Sequence, residues 1–114
     1  MTSEAPQEPS KISDQFNNRF ELDAQLLERG VMRYTPAGLP ALDLSLQHES
    51  LQKEDGTSRK VCMQIKAVAL GVITRQLAAL DLGSVNSYEG FLTNQRNGRG
   101  VIFHITAWKP INLP

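Results

Sequence analysis

The chain has 114 residues, with 12 lysines and arginines against 12 aspartates and glutamates, so it has room for one domain with one core. It lacks the apolar run of about 18 residues that a membrane helix needs, and its first residues carry Glu4, Pro6, Glu8 and Pro9 instead of a basic, then hydrophobic leader; the expectation is a soluble, cytoplasmic protein without a membrane. The single cysteine, Cys62, excludes an internal disulfide.

Residues 1–15 are polar, with two prolines and little to bury, and read as a disordered tail ahead of one domain spanning 16–114. From Asn18 the pattern changes. Phe20, Leu22, Ala24 and Leu26 alternate with Glu21, Asp23 and Gln25, the period of a strand buried on one face. Leu27 breaks the alternation and predicts a bend or bulge over Leu27–Gly30, after which Val31–Tyr34 continue the strand. Pro36 and Gly38 then turn the chain. A second strand, about Ala41–Glu49, places Leu42, Leu44 and Leu46 on one face. Gln52–Ser58 reads as a charged connection. In the third strand Val61, Met63 and Ile65 oppose Lys60, Cys62, Gln64 and Lys66, before the apolar run Ala67–Leu70 ends at Gly71. The period of Thr74–Leu82 suits a short helix closed by Gly83. Val85–Thr93 and Val101–Trp108 flank Asn97-Gly98, a strong hairpin signal.

The order strand, strand, strand, helix, strand, strand is that of the OB-fold, an all-β, five-stranded, partly open barrel that binds oligonucleotides across strands 2 and 3 and the loops between strands 1 and 2 and strands 4 and 5. On strand count alone an SH3-like barrel competes, and the short helix between strands 3 and 4 favours the OB-fold.

Catalytic groups are scarce. His48 and His104 fall on different strands with no metal-ligand spacing and read as surface hydrogen-bonding residues. Asp43 and Glu49 lie about 20 Å apart along a strand, too far for a paired acid and base. No helix follows Gly98-Arg99-Gly100 to make it a phosphate cradle. No enzyme activity, cofactor or metal is expected. Single-strand binding needs cations for phosphates and flat groups for bases. Its candidates are Arg33 and Tyr34 at the first turn, Arg59, Lys60, Gln64 and Lys66 along the third strand, and Arg96 and Arg99 on the last hairpin. An OB-fold converges these positions on one side, with Tyr34 as the best stacking residue. Charge distribution agrees: seven of the basic residues and only Asp81 and Glu89 of the acidic ones fall after residue 55. Phe103 and Trp108 read as packing residues, and a last strand apolar on both faces suggests a subunit interface.

Asn18-Arg19-Phe20, the turn Pro36-Ala37-Gly38-Leu39-Pro40, Leu46-Gln47-His48 followed by Ser50, and Arg96-Asn97-Gly98 before Phe103-His104 resemble the primosomal replication protein N (PriB) family, related to the bacterial single-stranded DNA-binding proteins. The resemblance runs from about Asn18 to Ile111. It implies a homodimeric OB-fold protein of the replication-restart primosome that binds single-stranded DNA without sequence specificity and assists the PriA helicase and other primosome components. Some relatives have tryptophan where this chain has Cys62 and a basic residue where it has Glu49. Those departures support an alternative: a protein-interaction adaptor in which helicase binding dominates and DNA binding is weak.

Overall fold

Alternation of apolar and polar side chains builds most of the molecule, since successive side chains of a strand point to opposite faces and most strands here bury one of them. In the computed structural model, which describes residues 13–111, the strands are β1 (Phe20–Arg29), β2 (Arg33–Tyr34), β3 (Pro40–Glu54), β4 (Thr57–Leu70), β5 (Val85–Asn94) and β6 (Val101–Pro110), with one helix, α1 (Ile73–Ala78), between β4 and β5. Most of the expected tail, residues 1–15, lies outside the described residues; at its end Ser13 holds a turn through the backbone N–H of Gln15, 2.9 Å from its Oγ.

The sheet order is β1-β5-β6-β4-β3-β2, and a further β1–β3 pairing closes it into a five-stranded barrel of OB type. Closure depends on β1 changing partners. Its first half, Phe20 to Gln25, pairs with β5, and its second half, Gln25 to Arg29, with β3. The register shifts between Leu26 and Glu28, where the sequence predicts a bulge. On the other side, β4 and β6 meet in parallel at Ala67↔Phe103 and Val68↔His104.

The core takes Leu22, Ala24 and Leu26 from β1, Leu42, Leu44 and Leu46 from β3, Ala67 and Ala69 from β4, Tyr88 from β5 and Phe103 and Ile105 from β6. Phe20 meets Phe103 edge to face, with centroids 4.9 Å apart. Helix α1 inserts Leu77 and Thr74, both fully buried, and the Thr74 hydroxyl donates to the Gly71 carbonyl at 2.6 Å. Buried Asn86 donates through Nδ2 to the Tyr88 hydroxyl at 3.2 Å, so the polar end of Tyr88 has a partner.

Four expectations are corrected. The second strand does not end at Glu49: β3 and β4 stay in register from Ala41↔Leu70 to Glu54↔Thr57. The connection expected over Gln52–Ser58 shrinks to Asp55 and Gly56, whose φ values of 51° and 77° are those of a tight primed turn. The helix stops at Ala78, short of Leu82. The Gly83 N–H donates to the Leu26 carbonyl at 2.7 Å and the Leu26 N–H to the Ser84 carbonyl at 2.9 Å, which draws residues 79–84 off the helix and onto the β1 bulge. Finally, β6 is not apolar on both faces. An irregularity opposite Glu89/Gly90 inserts one residue into β6, so Trp108 packs on the same core as Phe103 and Ile105, and the apparent second apolar face is one face shifted in parity.

Candidate nucleic-acid interface

Directly paired residues of an antiparallel ladder share a face, so register fixes which candidates lie together. Lys66 pairs with Ser45, Gln64 with Gln47, Cys62 with Glu49 and Lys60 with Leu51, all on the outer face of the barrel. Leu46↔Ile65, His48↔Met63 and Gln52↔Arg59 belong to the opposite face. Lys60, Gln64 and Lys66 therefore form one row, and Arg59 is not in it. Alternation sends Arg59 to the other side, where it pairs with Glu54 at 2.7 Å.

Arg33 reaches the outer face but arrives neutralised. Its Nε and an Nη each donate to Asp43 at 3.0 Å, and that hydrogen bond and charge raise the guanidinium pKa further. Tyr34, also on β2, is 68% exposed. The turn after it is held by the Gly38 N–H on the Thr35 carbonyl at 2.8 Å and the Leu39 N–H on Thr35 Oγ1 at 3.1 Å.

Between β5 and β6, the Asn97 side chain accepts the Arg99 N–H at 2.8 Å, and Gln95 Nε2 donates to the Arg99 carbonyl at 3.0 Å. These bonds fix the loop while Arg96 and Arg99 stay exposed. A groove of about 630 Å³ places Gln95 at the foot of this loop beside Lys66, Ser45 and Ile102. Among the described residues, Lys60, Lys66, Arg96 and Arg99 form no ion pair; the pairs involve Arg19, Arg33 and Arg59. Four free cations thus border one outer surface, with Glu49 as an opposing charge in the middle of the β4 row.

From His48 to Met63 the β3–β4 hairpin has no third strand and leaves the barrel as a two-stranded arm. At its base His48 Nδ1–H donates to the Asp23 carbonyl at 2.7 Å, and Nε2 lies 2.7 Å from Ser50 Oγ, the hydrogen-bonding role expected of it. Apolar alternation marks the β4 side of the arm at Val61 and Met63, whereas the tip is invisible to it because the positions beyond Ser50 are all exposed.

Sequence reasoning also passed over Phe91. It lies opposite His104, and the two rings stack with centroids 4.9 Å apart and planes 11° from parallel. Burial makes charging the imidazole costly and lowers the His104 pKa. Only cross-strand register could have joined these two residues. Among the described residues no group of three or more His, Cys, Asp or Glu comes together to hold a metal, and no helix is long and apolar enough to cross a membrane.

Known proteins share this fold. The family model described as "Another single-strand binding protein family" matches residues 18–107. The replication restart protein PriB of Bordetella pertussis is 51% identical over 79 residues, covering 69% of this chain and 74% of the relative. PriB of Neisseria gonorrhoeae is 38% identical over 80 residues, covering 70% and 79%. The crystal structure of Ralstonia solanacearum PriB superposes with a TM-score of 0.78 at 35% identity, covering 85% of this chain and all of that one. The single-stranded DNA binding protein of Thermus aquaticus gives 0.66 at 29% identity, covering 84% and 50%. With its fold and sequence both matched, the chain belongs to the single-strand binding protein family, in the branch of the replication restart protein PriB.

Proposed function

We propose that this protein binds single-stranded DNA without regard to sequence during replication restart, acting as a homodimeric accessory of the PriA helicase and the primosome. The observation that carries the DNA part is the row Lys60, Gln64 and Lys66 on the outer face of β4, adjoining the loop of Arg96 and Arg99, with all four cations free of carboxylate partners among the described residues. Backbone phosphates suit such cations, and a surface of this kind reads charge in preference to base edges. The helicase, the primosome and the dimer rest on the family likeness.

Anisotropy of a labelled oligothymidine of roughly 30 nucleotides, longer than the ~4 to 16 that one OB-fold covers, tests the reading. Binding should fall with salt at a log-log slope of about −2 to −3, following from ~0.7 per neutralised phosphate. Replacing Arg96 and Arg99 together by alanine should weaken binding equally for all sequences and reduce the slope by roughly half. Unchanged binding by that variant would remove the loop from the interface.

A second reading has its own observation. Asp43 and Glu54 neutralise two of the expected cations, and Glu49 sits in the remaining row, which favours an adaptor whose main ligand is the helicase. Equal affinity for single-stranded DNA with and without the helicase would count against it.

A further inference from the structure

We propose that the stacked Phe91–His104 pair is a base-stacking platform, taking the flat face of a nucleobase of single-stranded DNA; this rests on the DNA-binding reading above. Register places it. Phe91 pairs with His104, and His104 lies beside Val68 of β4. Lys66, two residues along β4, therefore projects from the same outer face, and the next pair, Thr93↔Ile102, leads toward the loop of Arg96 and Arg99. The platform thus adjoins the free cations.

Its shape suits a base. The rings are almost parallel, and each has one face turned away from the other, so a third planar group can extend the stack. Phe91 is 38% exposed, although the neighbouring outward positions on β5 are Glu89 and Thr93. Next to the pair lies a shallow depression of about 340 Å³, lined also by Leu70, Ile73 and Thr106, none of them charged. The surrounding charge selects the occupant. Asp43, which pairs with Val68 beside the platform, is already held by Arg33; Glu49 lies farther along the row opposite Cys62 and Glu28 across the groove from Lys66, which leaves Lys66 and the loop arginines to meet phosphates. Stacking tolerates any base, in keeping with binding that ignores sequence, and it supplies the flat group that Cys62 does not.

The test separates bases from phosphates. Phe91→Leu keeps an apolar side chain and removes the ring; Phe91→Trp keeps a plane. Both are titrated with oligothymidine and with an abasic strand of equal length. For Phe91→Leu we expect oligothymidine affinity to drop roughly five- to hundredfold, with abasic binding and the salt slope unchanged, and for Phe91→Trp affinity is retained. Ultraviolet crosslinking of the unaltered protein to a strand carrying 5-iododeoxyuridine should mark Phe91 or His104, and it decides the matter if the leucine variant does not fold. Oligothymidine binding that is intact in Phe91→Leu, or lost equally on both strands, with no crosslink at either ring, would overturn the platform and leave the DNA-binding reading standing. If the unaltered protein bound neither strand, both would fall.

Discussion

Asn18 shows how much a single exposed side chain can do at a sheet edge. Its Nδ2 donates to the Leu92 carbonyl at 2.8 Å and its Oδ1 accepts the Leu92 N–H at 3.1 Å, so an amide side chain stands in for one residue of a strand. Only a group that both donates and accepts can do this. Asn18→Asp should replace the donor by a second acceptor facing a carbonyl and cost about 1 kcal/mol, seen as a lower denaturant midpoint at unchanged m. His104 makes a prediction about pH. Its folded pKa lies below the ordinary histidine value of 6.5, so the unfolded chain binds the proton first as pH falls. The stability from neutral His104 is whole above pH 6.5 and is lost as pH drops through the folded pKa. Thermal midpoints taken between about pH 7 and pH 5 should decline less steeply in His104→Gln than in the parent.

At the scale of elements, the short helix and the β5–β6 ladder make opposite demands on side-chain volume. Helix α1 needs bulk: Leu77 is fully buried while Val72, just before the helix, is 81% exposed. Leu77→Ala should therefore cost about 2 to 5 kcal/mol, and Val72→Ala no more than about 0.5 kcal/mol; thermal melts of both would check the contrast. The ladder needs emptiness at Gly90, where a methyl group would overlap the His104 carbonyl oxygen and come within 2.8 Å of its carbon. Gly90→Ala should push β6 away, cost about 3 kcal/mol or more, and separate the Phe91 and His104 rings, visible as altered histidine ring resonances in NMR. What the sequence discloses follows from burial. Leu42, Leu44 and Leu46 announce β3 and Phe20 to Leu26 announce β1 because one face of each is covered. The tip of the arm, Leu51 to Arg59, is silent because neither face is covered. Trp108 misleads because the extra residue in β6 reverses its parity. Lys60, Gln64 and Lys66 are legible as a row, whereas the capture of Arg33 by Asp43 and of Arg59 by Glu54 depends on neighbours that only the folded register supplies.

Across the whole molecule the cations are divided by topology. Those next to carboxylates in the β2–β3 and β3–β4 ladders are spent within the chain, and those on the outer row and the last loop stay available, so a chain of zero net charge can still present a positive surface. The partner change of β1 has a consequence for how the protein comes together. The β3–β4 hairpin turns on two residues and draws only on local chain, but β1 needs β3, some 20 residues away, and β5, some 65 residues away, to be in place at once. Such a contact pattern favours early formation of the hairpin and late capture of β1, with refolding in about milliseconds to seconds. During synthesis, then, β1 leaves the ribosome first and is fixed last: its exposed row of Leu22, Ala24 and Leu26 must wait for β5, and that waiting strand is where two nascent chains would exchange segments.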